Sequence, residues 1–348
     1  MTRVQDLTIQ FEAQRAASDF SVYVRYLASA KDAYQALQIA ETRGANERVI
    51  TVLKAAVAAG TTSAPAWAGN LKPYKIMSGA FLDSLAGRGF FDSIYPAFLP
   101  VPMSESVAIS TAGIEGAEVG EFVPAPISAL QFGLGEMQPR RVEAVIVMSR
   151  ELINSVSTAG QRLIDIELRK AATRATDRAF FGVILDGLTP LASIGNRAFE
   201  ARQDLTAILT AIAGDAESNY AFAMNGDLAK ALAGLATDDG AAAFPEMTPT
   251  GGRLLGVPAY VAELAAGRVV ALDASQIAAD RSEIVADIAT DASLQMSTTP
   301  SGGAAALLSL WQSNAAALRV LRWIGVERLR ANAVAVLDGA EWGTEESS

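Results

Sequence analysis

The chain contains no cysteine and no histidine. The first absence excludes disulfides, thiolate nucleophiles and Cys-ligated zinc. The second excludes His-based triads, His metal ligands and the one side chain whose unperturbed pKa lies near neutrality. Chemistry would have to rest on carboxylates, hydroxyls or lysine, and lysine occurs only at positions 31, 54, 72, 75, 170 and 230. Charge is also sparse, at 19% of residues against roughly 25% in an average globular protein. With 28 Lys and Arg against 38 Asp and Glu, the net charge of −10 opposes attraction to nucleic acid or an anionic membrane through the overall field. Long apolar runs are missing as well. The longest uncharged stretch, Ala292 to Leu318, is interrupted by Ser, Thr, Gln, Asn, Pro300, Gly302 and Gly303, so no membrane span is expected. Arg3, Asp6, Glu12 and Arg15 leave no apolar region for a signal peptide.

What is present suits a folded chain. At 348 residues and 51% apolar content there is room for two domains of ordinary size, or one elaborate one. Phe20, Tyr23, Val24, Leu27, Ala30, Tyr34 and Leu37 recur at three- and four-residue steps, which predicts one amphipathic helix over Phe11 to Thr42. A short helix, Glu47 to Ala59, follows and stops at Gly60. Residues 101–141 carry four prolines and five glycines, with β-type stretches at Val107–Ser110 and Glu121–Val123, and read as a long extended excursion. Glu115, Glu118, Glu121 and Glu136 lie between Gly113 and Pro139 with no Lys or Arg among them.

Val142 to Ser149 suits a buried strand. Capping-box spacing at Thr158–Gln161 opens a helix expected to end at Gly182. Its periodicity buries Leu163, Ile166, Ala171 and Phe180 and turns Arg162, Glu167, Arg169, Arg174 and Arg178 outward. Beyond a loop near 186–203, helices are expected over Leu205–Ile212 and Gly226–Leu235, with a strand at Tyr220–Met224. Further strands are expected at Val269–Leu272, Ile284–Ile288, Leu307–Trp311, Leu318–Ile324 and Ala333–Leu337. Helices and strands mix without regular βαβ alternation, the pattern of an α+β fold.

Catalytic and nucleotide signatures are missing. No Gly-Lys pair marks a P-loop, and Gly87-Arg88-Gly89 and Gly133-Leu134-Gly135 both lack the third glycine of a dinucleotide site. Asp238-Asp239-Gly240 lacks the alternating ligands of a calcium loop and reads as a turn. Asp165 and Glu167 are two apart on a helix and point to different faces, so they do not converge as a glycosidase pair, and Asp177 stands on the same helix. Ser149 beside Arg150, and Ser29 near Lys31, are better explained by capping and ordinary surface. A hydrolase using carboxylate or Ser/Lys chemistry remains the enzyme alternative. Arg319, Arg322, Arg328 and Arg330 are opposed only by Glu327 and have one interleaved aromatic, Trp323. That composition favours a protein–protein or solvated role over a stacking platform for nucleic acid.

The order of several segments resembles tailed-phage major capsid proteins of the Hong Kong 97 type. It starts at Leu53-Lys54-Ala55-Ala56-Val57-Ala58-Ala59-Gly60-Thr61-Thr62 and Trp67-Ala68. It continues through Ser149-Arg150-Glu151-Leu152 and Thr176-Asp177-Arg178-Ala179-Phe180-Phe181-Gly182. Met224-Asn225-Gly226, Asp238-Asp239-Gly240, Leu255-Gly256-Val257-Pro258 and Trp311-Gln312-Ser313 follow, closing with Leu318 to Val336. The resemblance implies an N-terminal helical segment and arm over 1–100 and an extended β E-loop over 101–141. A peripheral domain with a long spine helix would cover 142–200 and 306–348, and an axial domain 201–305.

The function so implied is structural, with no catalytic centre, cofactor or metal. Copies of the chain would assemble through hexamers and pentamers into an icosahedral shell enclosing the double-stranded DNA of a tailed phage or prophage. The implied partners are other copies, a portal, a scaffold or maturation protease, and packaged DNA held without sequence specificity, with no membrane. The implied location is the virion capsid, assembled in the bacterial cytoplasm. An encapsulin-like nanocompartment shell is the near alternative. Long arms and heterologous contacts let modest interactions close a lattice. The candidate inter-subunit contacts set Glu115, Glu118 and Glu121 against Arg319, Arg322, Arg328 or Arg330. Exposed pairs contribute about 0–1 kcal/mol each and weaken with salt, so they would fix register more than stability. The N-terminal region is short for a complete built-in scaffolding segment. Some capsids of this type cross-link covalently through a loop Lys, but this chain has no Lys between Lys75 and Lys170, so no cross-link through this loop is expected.

Overall fold

A computed structural model describes residues 16, 18–30, 32–57, 80–81, 89–103, 106–110, 132–154, 158–212, 214, 218–295 and 307–343. Its longer helices are α1 (18–29), α2 (Ala33–Thr42), α3 (Glu47–Val57), α4 (Phe90–Ile94), α5 (Arg150–Asn154), α6 (Thr158–Ile184), α7 (Ala198–Ala211) and α8 (Gly226–Gly234). The strands of the first half are β1 (Leu99–Pro100), β2 (Ser106–Ser110), β3 (Phe132–Glu136), β4 (Arg140–Ser149) and β5 (Leu191–Ala192). They continue as β6 (Tyr220–Met224), β7 (Met247–Thr248), β8 (Gly251–Leu254), β9 (Val257–Val261), β10 (Val269–Asp273) and β11 (Ile277–Arg281). The last are β12 (Val285–Ala289), β13 (Ser293–Gln295), β14 (Leu307–Ser309), β15 (Ala315–Arg328) and β16 (Val334–Asp338). Helix and sheet are mixed as the sequence predicts. No described helix is long and apolar enough to cross a membrane.

Several expected boundaries move, each for a local reason. The single helix expected over Phe11–Thr42 is two helices over its described part, because Asp32 adopts extended dihedrals and its carboxylate accepts from the Gln35 N–H at 2.7 Å. The apolar period continues across that cap, which hides the break. α6 runs past Gly182 to Ile184. Its buried stripe is also rotated from the expected one: Leu168, Arg169, Ala172, Thr173, Thr176, Asp177, Phe180, Phe181 and Ile184 are covered, while Ile166 is open. Arg169 is accommodated inside because its guanidinium lies over the Phe81 ring, 4.8 Å from the centroid. The side chain of Leu163 lies outside the described residues. α7 starts at Ala198, inside the expected loop, since Glu200 accepts from the Arg197 N–H at 2.9 Å. β4 is only half-buried, with Val142 covered and Val145 open, and among the described strands it pairs with β15.

The chain divides into two compact units. The first comprises residues 1–88, 141–175 and 282–323. Within it, Phe20 and Val24 of α1, Leu53 of α3, Phe81, and Leu168 of α6 form one core with Ile284 and with Leu318 and Val320 of β15. β12 pairs antiparallel with β15, Val285 opposite Leu321 and Ala289 opposite Ala317. A short antiparallel pair, β13 with β14, leads into a turn over 310–314.

The second unit comprises residues 89–140, 176–281 and 324–348. Its seven-stranded mixed sheet has the order β5-β16-β10-β6-β9-β8-β7. β10 is buried throughout, the behaviour of a strand covered on both faces. On one face, Leu205 and Ile208 of α7 and Leu228 and Leu232 of α8 pack with Phe222, Met224, Val269 and Ala271. On the other, Tyr260 meets Phe90 edge-on at 5.7 Å, and Phe91, Phe98, Phe180 and Phe181 complete an aromatic cluster. Residues 324–328 of β15 pair antiparallel with β11. β2 and β3 pair as a separate antiparallel ribbon, Ser106 opposite Glu136.

Candidate functional site

The arginines singled out from the sequence are carried by β15 and the residues after it, and strand geometry separates them. Successive side chains alternate between faces. Arg322 therefore shares the buried face with Leu318 and Val320, at 2% exposure, and is engaged within the chain. Arg319 stands on the other face and bonds Asp287, its cross-strand partner, at 2.5 Å. That hydrogen bond, helped by the opposite charge, raises the Arg319 pKa. In the second unit, Arg328 donates from Nη2 to the Asp186 carbonyl at 2.8 Å, and the half-buried Arg330 is also engaged. Arg319 and Arg322 thus stand on opposite faces of β15. Glu115, Glu118, Glu121 and the stretch Glu121–Val123 lie outside the described residues.

Several large apolar side chains are open to solvent. In the first unit Trp311 is 76% exposed and Leu307 67%. Asn314, at φ +47°, turns the chain there: its carbonyl accepts from the Arg150 N–H and its side chain donates to Glu151 at 2.6 Å. In the second unit Phe199 is 71% exposed and Ile194 60%, and a groove of about 780 Å³ along α7 is lined in part by Leu191, Phe199, Ala207 and Ala211.

Several buried carboxylates hold the fold together. Asp177 is buried and accepts from the Phe90 and Phe91 N–H groups at 3.0 and 2.9 Å, fixing α4 against the end of α6. Asp204 accepts from Ser193 Oγ at 2.6 Å, Ile194 N–H at 3.2 Å and Trp342 Nε1 at 3.1 Å. Asp273 accepts from Asn219 and Ser275 N–H groups, and Asp92 pairs with Arg281 at 2.6 Å while that guanidinium lies over Tyr95. Glu167 pairs with Lys170 on an exposed turn, and Ser29 donates to the Tyr26 carbonyl. Among the described residues no three Asp or Glu side chains gather as a metal cluster. Sequence reasoning missed the roles of Asp92, Asp177 and Asp204, because each depends on a donor far away in sequence.

Comparison with known proteins gives these surfaces a context. A "Capsid polyprotein" of Pseudomonas phage PAJU2 is 34% identical over 330 residues, covering 86% of this chain and 49% of the polyprotein. The chain thus spans about half the length of that relative. A solved chain from Gordonia phage Cozz overlays with a TM-score of 0.46 at 17% identity, covering 73% of this chain and 87% of the other. One from Mycobacterium phage Ogopogo gives 0.45 at 18%, covering 71% and 91%. Over residues 98–339, most of its length, the chain matches the model of the phage capsid family, and it belongs to that family.

Proposed function

We propose that the chain is the major capsid subunit of a tailed phage or prophage, assembling through hexamers and pentamers into an icosahedral shell around double-stranded DNA. The observation that carries this reading is the family match over residues 98–339. Open apolar side chains in both units, Trp311 and Leu307 in one and Phe199 and Ile194 in the other, support it as surface for neighbours. The role is structural and needs no catalysis. The reading places the subunit in the virion capsid after assembly in the bacterial cytoplasm, beside a portal and a scaffold or maturation protease. Residues 142–200 with 306–348 take the peripheral role, 201–305 the axial role, and 101–141, whose ends pair as β2 and β3, the E-loop.

The acidic loop residues Glu115, Glu118 and Glu121 would meet a neighbour's Arg319, Arg328 or Arg330, while burial makes Arg322 the least accessible of the four. Electron microscopy of the purified protein tests the reading. Icosahedral shells or hexameric capsomers, with nuclease-protected DNA in native particles, are expected, and a stable small monomer overturns it. Shells holding protein cargo and no DNA would select a nanocompartment instead. Reversing the three glutamates to lysine lowers particle yield if the loop contact is real, and unchanged yield removes that contact. Boiled, denatured particles are expected to run as monomer, whereas a ladder of covalent oligomers would show that cross-linking occurs.

A further inference from the structure

Arg25 on α1 is 7% exposed, and its Nε and Nη1 atoms are sealed from solvent without an acceptor. The guanidinium lies 5.2 Å from the centroid of the Tyr26 ring. A ring face attracts a cation but offers no lone pair to the fork of donors, so the hydrogen-bonding capacity of those two nitrogens is unused. Burial of a permanent charge without an oxygen partner is costly to the fold. The contrast within the molecule is plain, because Arg281, also largely covered, has both an aromatic ring and the Asp92 carboxylate. Other acids of the first unit have partners of their own: Asp19 accepts from Asn46, Asp287 from Arg319 and Glu151 from Asn314, and Glu143 forms an ion pair with Arg141.

We infer that Arg25 receives a carboxylate from a second copy of the chain when subunits assemble. The inference rests on the shell-forming reading above. Charge balance favours that source, since every added copy brings 38 carboxylates against 28 cations. A nucleic-acid phosphate is a poorer fit, because a polyanion is held by a run of cations, and among the described residues 18–29 of α1 the charged ones are Arg25 and Asp19. The residue keeps 7% exposure in the free subunit, and the long stem of an arginine lets its head swing toward a partner that docks there. The subunit thus holds a cation that is unsatisfied while free and satisfied in the assembly.

The test compares the free subunit with the particle. Arg25→Met keeps the apolar stem and removes the charge. The free variant is expected to melt at or above the wild-type temperature, while particle yield from matched folded subunit falls by about tenfold. Arg25→Glu is expected to assemble worst, and Arg25→Lys to fall between wild type and Met. Wild-type yield from R25M overturns the inference, and so does a lower melting temperature of the free R25M subunit, which would mean that the charge already has its partner. A yield defect seen only when DNA is present also overturns it and assigns the site to phosphate. If the wild-type chain forms no particles, the shell reading itself fails, whereas wild-type particles with an indifferent R25M remove this inference alone.

Discussion

Asp177 is a residue whose removal leaves two backbone donors, the N–H groups of Phe90 and Phe91, buried without an acceptor. Unsatisfied buried groups cost about 1–3 kcal/mol each. Asp177→Ala should therefore lower unfolding stability in urea by about 2–4 kcal/mol, and Asp177→Asn, which keeps one acceptor, by less. Two other carboxylates set opposite pH limbs. Hydrogen bonds from Arg268 hold Asp338 below the usual carboxylate range against a smaller opposing effect of burial. Its contribution is complete above the unfolded value of about 3.9 and is lost as pH falls through the folded one. Since the pair is about one-third exposed, that contribution lies near the surface range of about 0–1 kcal/mol. Burial pushes Glu327 up, only partly offset by Arg328 and Arg140, so its stability is present below about 4.3 and lost as pH rises through the folded value. In melting curves across pH, Asp338→Asn should flatten the acid limb and Glu327→Gln should raise the melting temperature at pH 7; the reverse pattern would contradict both assignments. None of these roles shows in a local sequence window. Asp177 and Arg169 follow polar positions on a helix, and their burial is decided by Phe90, Phe91 and Phe81.

Among elements, those with uninterrupted apolar alternation were the legible ones. β6 occupies its expected residues, and β10 and β16 extend or shift by one. β15 is longer than its apolar segment Leu318–Ile324 suggests, because Ala315–Ala317 at one end are small and Gly325 to Arg328 at the other pair with β11 despite their polarity. Pairing partners lie outside any local window, and so does their effect on length. The α1 to α2 break was concealed for a different reason, as a cap residue sat inside a continuing apolar period. Asp32→Ala should destabilise the first unit by about 1 kcal/mol, read from chemical denaturation, and no change would mean that packing alone sets that boundary. At the β8 to β9 hairpin, Gly251 takes φ +114° and a Cβ there would lie 2.7 Å from the Ala259 carbonyl oxygen. Gly251→Ala should consequently cost more than an ordinary surface change, and a melting temperature equal to wild type would refute the close approach.

For the molecule as a whole, the two units exchange chain at residues 88–89, 140–141, 175–176, 281–282 and 323–324. The third exchange falls within α6 and the last within β15, so no proline- or glycine-rich linker marks either. That is why composition shifts along the sequence did not locate them, and why neither unit can be isolated by a single cut. Arg319 and Arg322 illustrate a related limit, since strand alternation turns these sequence neighbours to opposite faces. The exposed side chains at the end of β14 have a spectroscopic consequence. Among the described tryptophans Trp342 is fully enclosed, Trp323 partly open and Trp311 nearly bare, so these three report on different surroundings within one emission band. If Trp311 is covered by a neighbour, assembly should shift that band to shorter wavelength and protect it from acrylamide, and Trp311→Phe should remove most of the change. The subunit would then carry its own optical clock for particle formation, readable in real time without an attached dye.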